Sequence, residues 1–207
     1  MTVSIIIPVY RKTEYLDKCL ESLAKQTYRD FEIIIIDDGN SDGLKSLKFK
    51  SLKLKLFKQQ HQGSAIARNL GAEESRGEIL VFVDADMTFD KNFIKDLIQP
   101  IVEGEVKGTF SKNEYVANWE NIWARCWNYN LDLPAKKRLP DNYPAQAPVF
   151  RAILKSEFQK AGGFNSRGYD DDWTLSEKLG YRAQVVSGAV YYHYNPDTLW
   201  EVFQQAK

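Results

Sequence analysis

The most regular feature of the chain is a series of short, unbroken apolar runs, each followed by acidic or glycine-rich residues. Val3–Val9, residues 31–36 and residues 79–83 are nearly all apolar and rich in β-branched side chains. Such runs lack the alternation of a half-exposed strand and predict strands buried on both faces. Between the first two, Leu16, Leu20 and Leu23 recur at helical spacing with Cys19 beside them. That pattern predicts a helix opened by Thr13 and running to about Lys25. A second helix is expected from the Gln62-Gly63-Ser64-Ala65 segment to about Ser75, with Gly77 breaking it. Strand, helix, strand and then an acidic turn at Asp37-Asp38-Gly39 is a βαβ unit, so the fold class is α/β with a mostly parallel sheet covered on both faces by helices.

The second half of the chain is less periodic. Residues 44–58 are rich in lysine and leucine and predict a short helix, then a strand at 52–57 in which Lys53 and Lys55 alternate with leucines. Two readings compete there, a basic face for an anionic surface and an edge strand guarded by lysines; the second is the more economical. A helix is expected at 92–101, a strand at 106–110 and a helix at 116–129 carrying Trp119, Trp123 and Trp127 on one face. That indole stripe is either core or an aromatic wall for an acceptor. Residues 131–148, with four prolines and the basic run Lys136-Lys137-Arg138, predict a long mobile loop near the site. A strand fragment at 149–151, a helix at 154–160, a turn at Gly162-Gly163-Phe164, a helix at 174–179, a strand at 182–190 and a helical segment at 196–207 complete the reading. Neither repeats nor a linker break the chain, so a single domain over residues 1–207 is expected.

Composition adds little to this but excludes some functions. The 207 residues are 43% apolar and 27% charged, as in ordinary globular domains, and 28 basic residues balance 28 acidic ones. Zero net charge gives no electrostatic reason to expect a nucleic-acid partner. Cys19 and Cys126 do not form a CxxC spacing and are expected as free thiols in a reducing compartment. The apolar N-terminus is too short for a signal peptide, and no run approaches the roughly 18 apolar residues of a spanning helix. The expectation is therefore a cytoplasmic chain, or the soluble part of a longer membrane-anchored protein, with peripheral association at the cytoplasmic membrane face left open.

Candidate chemistry clusters where the strands end. Asp84-Ala85-Asp86 follows the run 79–83. Ionised carboxylates at the exit of a buried strand are costly unless water, hydrogen bonds or a cation meets them. Carboxyl ends of strands in an open α/β sheet are also where ligands bind. An Asp-x-Asp pair there suits a hard divalent ion, Mg2+ or Mn2+; the competing reading is a helix cap or an Asx turn. Gly63 lets backbone approach a ligand at a helix N-terminus, and Arg68 lies one turn in, within reach of a phosphate or a base edge. Tyr169-Asp170-Asp171-Asp172-Trp173 is a second acidic cluster, readable as a helix N-cap or as the source of a general base. A lone His193 follows the last strand, as a structural residue or a metal ligand.

Taken in order, Ile7-Pro8-Val9-Tyr10, Ser22-Leu23, Gln26-Thr27-Tyr28, residues 31–36 with Asp37-Asp38-Gly39, Gly63 with Ala67-Arg68-Asn69, the 79–86 strand with its Asp-x-Asp, and Gly162-Gly163-Phe164 with Asp171-Asp172 resemble glycosyltransferase family 2. The resemblance runs from residue 3 to about residue 193. It implies a GT-A fold, Rossmann-like with a smaller acceptor-side region, in which about 1–90 bind the nucleotide sugar and about 91–207 carry acceptor and catalytic residues. It implies an inverting, metal-dependent transfer from a UDP- or GDP-type nucleotide-diphosphate sugar to a hydroxyl of a glycan or lipid-linked acceptor. By the same resemblance Pro8, Val9 and Tyr10 line the base pocket, Asp38 accepts from the base, and Arg68 lies near the base and diphosphate. Gly63, Asp84 and Ala85 belong to the nucleotide-sugar site, with Asp84 on the ribose or a metal-bound water. Asp86 holds the metal, His193 is its second ligand, and Asp172 is the base with Asp171 beside it. Two details depart from the family pattern: Asp171 stands where glutamate is usual, and Gly39-Asn40-Ser41-Asp42 replaces a Gly-Ser-x-Asp turn. The alternatives are a sugar nucleotidyltransferase, disfavoured because Val9-Tyr10-Arg11-Lys12 has no glycine-rich phosphate loop, and a non-catalytic nucleotide-sugar-binding module.

Overall fold

The apolar runs form the centre of an eight-stranded sheet. In the computed structural model, which describes residues 1–10, 14–39, 44, 52–166 and 171–206, β1 (Val3–Val9) lies between β2 (Phe31–Asp38) and β4 (Ile79–Phe82). These strands are parallel, with Ile5 opposite Ile33 on one side and Val81 on the other. Strand β3 (Leu54–Gln59) forms the edge beyond β2. On the other side of β4 the order continues through β9 (Ala152–Leu154), β6 (Gly108–Ser111), β10 (Ala183–Val186) and β8 (Gln146–Ala147). Antiparallel pairings occur only around β9 and β8, so the sheet is mostly parallel, as expected.

Side-chain alternation decides which helix covers which face. Ile5, Ile7, Ile33 and Ile35 point into the cluster with Leu16, Leu20 and Leu23 of α1 (Leu16–Ala24) and Phe93 and Leu97 of α3 (Phe93–Val102). Ile6, Ile34 and Ile36 face the opposite way, toward Ala65 and Ala67 of α2 (Ser64–Glu73). That helix presents small residues because it lies close: a Cβ at Gly71 would meet Ile6 Cγ2 at 2.5 Å. Since β1 connects to β2 on one side and pairs with β4 on the other, the chain direction reverses across the sheet there. The carboxyl ends of β1, β2 and β4 therefore open a crevice at a topological switch point.

A second, three-stranded sheet stands beside this crevice. It has the order β5-β11-β7, where β5 is Met87–Phe89, β7 is Glu114–Val116 and β11 is Tyr191–His193. Further helices are α4 (Ile122–Asn130), α5 (Lys155–Lys160), α6 (Thr174–Leu179) and α7 (Leu199–Gln205), with a 3-10 turn at Asp171–Trp173.

Differences from the expected elements have local causes. The lysine-rich strand is an edge strand, and Lys55 pairs with Glu32 at 2.8 Å; most of the helix expected before it lies outside the described residues. The expected 116–129 helix begins only at Ile122, because Asn121 caps it, its Oδ1 accepting from Trp123 N–H at 2.8 Å. Trp119 thus precedes the helix, and the three indoles do not form one helical stripe. Of the expected 182–190 strand only Ala183–Val186 (β10) forms; the chain then turns at Gly188, φ +95°, and the next strand, β11, begins at Tyr191 in the small sheet. The strand expected at 149–151 lies at Ala152–Leu154, and that at 106–110 lies at Gly108–Ser111. The 131–148 segment is tied down rather than loose: Arg138 N–H donates to Glu114 O at 3.0 Å and Val116 N–H to Lys136 O at 2.8 Å. Cys19 is a buried and Cys126 an exposed free thiol. Among the described residues, no helix is long and apolar enough to cross a membrane.

Gln26 shows how α1 and α3 are locked together. Fully buried, it donates from Nε2 to Asp90 O at 2.7 Å and accepts Ile94 N–H at 3.0 Å through Oε1. An alanine there leaves the first-turn Ile94 amide without its acceptor, worth about 1–3 kcal/mol, while the Asp90 carbonyl keeps Phe93 N–H at 3.0 Å. Gln26→Ala should therefore lose about 1–3 kcal/mol in urea unfolding; a loss below about 0.5 kcal/mol contradicts this account of the junction.

Candidate active site

The crevice above β1, β2 and β4 holds a cavity of about 260 Å3 lined by Pro8, Val9, Tyr10, Asp38, His61, Gly63, Ser64 and Asp84. Five of the expected nucleotide-site residues from three strand ends, together with Gly63, thus share one cavity. Gly63 enters α2 at φ +94°, a conformation costly to any residue with a Cβ. Ala85 does not line the cavity; it packs against the core beneath the Asp-x-Asp.

Asp38 has a different part from the one expected. Its Oδ1 accepts from Gln59 Nε2 and Gln62 N–H, both at 2.8 Å. Its Oδ2 accepts from Gly63 N–H at 2.9 Å and meets His61 Nδ1 at 3.0 Å. A carboxylate has about four lone-pair directions, and all four are used inside the chain. Asp38 therefore shapes the turn leading into α2, and it draws in the two amides, at Gln62 and Gly63, nearest that helix N-terminus. His61, held by this contact, stacks on Tyr10 with ring centroids 3.8 Å apart and planes 14° from parallel. The flat surface of the cavity is this Tyr10–His61 pair. His61 was not singled out from the sequence; its signal was the polar run Gln59-Gln60-His61-Gln62 directly after an edge strand.

Arg68 is buried and is not among the side chains lining the cavity. It donates from Nη2 to Asp84 Oδ1 at 2.7 Å and from Nη1 to Asp172 Oδ1. Its guanidinium also lies 5.9 Å from the Phe164 ring centroid. One cation on α2 thus joins the first acidic pair to the second. Asp172 and Asp171 separate sharply: Asp172 is 36% exposed and faces Arg68, whereas Asp171 is buried and its backbone carbonyl accepts from Thr174 Oγ1. Gly163, at φ +72°, leaves room for Asn69, whose side chain holds Phe164 through both its N–H and its carbonyl at 2.9 Å.

Neither Asp84 nor Asp86 caps α3; Asp90 and Asn92 occupy its start. The β5–β11 register instead explains where Asp86 goes. His193 pairs with Met87, and Tyr194 N–H donates to Asp86 O at 3.1 Å, so Asp86 lies beside the end of β11. His193 Nε2 is 3.1 Å from Asp86 Oδ1, and its Nδ1 is 2.9 Å from Glu114 Oε1. Asp84 also has a second cation, Arg151, whose Nη1 is 4.0 Å from Oδ2. Sequence reading passed over Arg151 and Glu114. Arg151 is a single charge in an otherwise apolar stretch, and Glu114 is one polar residue in the run Ser111-Lys112-Asn113-Glu114.

Burial and charge oppose one another at these groups. Burial disfavours the ionised form of Asp84, but Arg68 and Arg151 outweigh it and hold the carboxyl at about 2. Glu114 is also held at about 2: burial is overcome by the hydrogen bond from His193 and the charge of Arg138. For Asp172 burial prevails over Arg68, and with Asp84 adding repulsion its pKa is raised. Burial and Arg138 push the His193 pKa down, but Asp86 and Glu114 bring it above the ordinary value.

Comparison with known proteins agrees with this fold. The family model described as glycosyl transferase family 2 matches residues 4–158. Glycosyltransferase GlyG of Streptococcus pneumoniae serotype 4 is 24% identical over 196 residues, covering 84% of this chain and 63% of that protein. Glycosyltransferase AglE of Haloferax volcanii is 41% identical over 92 residues, 41% of this chain and 30% of that one. Among solved structures, residues 1–349 of Staphylococcus aureus TarS in complex with UDP-GlcNAc superpose with a TM-score of 0.75 at 18% identity, covering 98% of this chain and 61% of TarS 1–349. The mannosyltransferase PcManGT of Pyrobaculum calidifontis, in complex with GDP-Man and Mn2+, gives a TM-score of 0.71 at 21% identity, covering 98% and 59%. The chain therefore spans less than two thirds of each of these proteins. The structural likeness shows a shared GT-A-like α/β fold.

The Arg68 pairing has a measurable cost. Arg68→Met leaves Asp84 and Asp172 without their shared cation; because both carboxylates stay about a third exposed, the loss should be roughly 2–3 kcal/mol, below the 3–5 of a fully buried pair. The Asp84 part has a definite pH dependence. Its pKa is lower folded, about 2, than unfolded, about 3.8, so its stabilisation is present above pH 3.8 and vanishes as pH falls toward 2. Urea unfolding of both proteins should show the gap narrowing between pH 5 and pH 2.5; a gap that widens contradicts the pairing.

Proposed function

This chain belongs to glycosyl transferase family 2, and we propose that it transfers a sugar from a nucleotide-diphosphate donor to a hydroxyl of a glycan or lipid-linked acceptor, inverting the anomeric carbon. One observation carries the reading: Asp84 lines the cavity at the sheet's switch point, Arg68 ties it to Asp172 from late in the chain, and Asp86, two residues on, meets His193. The Tyr10–His61 face is the platform for the base, with Pro8 and Val9 beside it. UDP-GlcNAc and GDP-Man in the two structural relatives support a UDP- or GDP-type donor.

The residues fit a divalent ion of the Mn2+ or Mg2+ kind. Asp86 and His193 offer an oxygen and a nitrogen 3.1 Å apart, and among the described residues no cluster of three or more such side chains exists. Two protein ligands, with the rest taken from diphosphate and water, is the usual way such ions are held at phosphate sites. When bound, the ion neutralises charge on the departing diphosphate.

Asp172 supplies the proton chemistry. As the acceptor oxygen forms its bond to C1, the bond from C1 to the diphosphate oxygen breaks on the opposite face, and the hydroxyl proton passes to Asp172. A raised pKa makes Asp172 a stronger base than an ordinary carboxylate, and Arg68 sets its position. The same Arg68 contact is the one feature favouring a non-catalytic nucleotide-sugar-binding module, since it occupies the base. Turnover decides between the two.

Asp172→Asn should lower turnover by about 10²–10⁴-fold while calorimetric affinity for UDP or GDP is kept; parent-like turnover overturns the assignment. The pH profile supplies a second check. A base works only when deprotonated, so activity falls as pH drops through the Asp172 pKa. Asp84 raises that pKa, so Asp84→Asn should move the acid limb of kcat to lower pH. A limb that stays fixed or moves upward contradicts Asp172 as the titrating group.

A further inference from the structure

Glu114 has no part in the reaction just described, yet it is buried and fully engaged. Its Oε1 accepts from Arg138 Nε at 3.0 Å and meets His193 Nδ1 at 2.9 Å; its Oε2 accepts from the Tyr191 hydroxyl at 2.9 Å. Tyr191 in turn receives Arg151 Nη2 at 3.4 Å, and Arg151 reaches Asp84. A line of contacts thus leaves the Asp-x-Asp at Asp84, passes behind the site through Arg151, Tyr191 and Glu114, and returns to Asp86 through His193. The register makes this automatic. Glu114 lies opposite Tyr191 in the β7–β11 pair, and Tyr191 and His193 share a sheet face two residues apart.

Stability alone does not call for such a carboxylate, because buried ionic groups are often replaceable by well-packed apolar ones without loss. Orientation does. An imidazole can flip its ring and exchange tautomers, and only one arrangement leaves an Nε2 lone pair free for a cation on the Asp86 side. A carboxylate on Nδ1 selects that arrangement and makes the ring a better ligand. We propose that Glu114 is a positioning residue for a divalent-metal site, acting through His193. It holds the ring so that Nε2 and the Asp86 carboxylate face one cation. The same carboxylate anchors Arg138, so the 131–148 segment is fastened to the back of the site. This inference rests on the reading of Asp86 and His193 as the metal-binding pair.

The test is Mn2+ binding to the purified chain, followed by the electron paramagnetic resonance of the free ion, with no substrate present. Glu114→Gln keeps the size of the side chain and removes its charge. It should weaken Mn2+ binding about 10–100-fold, the range for an outer-sphere partner of a metal ligand. Tyr191→Phe is the structural control: it removes a hydrogen bond from the same buried carboxylate without touching His193. It should lower the melting temperature at least as much as Glu114→Gln while changing Mn2+ affinity less than threefold. Equal losses of affinity in the two variants, or a Glu114→Gln affinity within threefold of the parent, overturn the inference. Asp86→Ala separates the two levels of the argument. If it binds Mn2+ like the parent, the metal reading itself fails and Glu114 loses its role. If it loses Mn2+ while Glu114→Gln keeps it, the metal reading stands and only the role of Glu114 falls.

Discussion

A buried guanidinium holds this molecule's two halves to one purpose. Asp84 and Asp86 follow a buried strand, Glu114 opens another and Asp172 lies in the 3-10 turn before α6; charges so placed are costly unless cations or hydrogen bonds meet them. Arg68 meets two of them, Asp84 from β4 and Asp172 from beyond Phe164. Arg151 approaches Asp84 from the other side, and Arg138 meets Glu114. Without Arg68, the acidic pair at the head of the sheet and the acidic pair late in the chain have no direct tie. With it, Asp84 at the cavity and Asp172 from late in the chain share one cation, with Asp84 strongly ionised and Asp172 left the more basic.

The small sheet does for Asp86 what Arg68 does for Asp84. Its middle strand, β11, brings His193 alongside Met87 and therefore beside Asp86, while β7 brings Glu114 behind the imidazole. Backbone pairing sets these positions, so the polar atoms meet without long side chains having to be ordered individually. The division between large sheet and small sheet is thus also a division of labour. The large sheet presents the cavity and its aromatic pair, and the small sheet brings His193 and Glu114 together beside Asp86.

Legibility in the sequence followed burial. Strands β1, β2 and β4 were plain because a strand covered on both faces must be apolar throughout, and α1 and α3 were plain because each buries one stripe. Short strands in the second half, three or four residues long, carry too few positions to show a period. That is why Trp119 was taken for helical and why a strand was read through the Gly188 turn to residue 190, where β10 ends at Val186. Asp84, Asp86, Asp172 and His193 were legible because acidic pairs and a histidine beside strand ends are conspicuous. Their supports were not: Glu114, Arg151 and His61 acquire meaning only through strand register, which a single sequence does not display. Asp38 was visible but its role was not, because its partners are mostly backbone amides and a glutamine on the neighbouring edge strand.

The central claim is that Asp86 and His193 hold a cation beside a nucleotide seated in the Tyr10–His61 cavity. Crystals grown with Mn2+ and UDP, and in parallel with Mn2+ and GDP, measured at the manganese absorption edge, test it most directly. The account predicts an anomalous peak at coordination distance from both the Asp86 carboxylate and His193 Nε2, with a base against the Tyr10–His61 pair. A nucleotide bound in that cavity with the manganese elsewhere, or with no manganese at all, contradicts it.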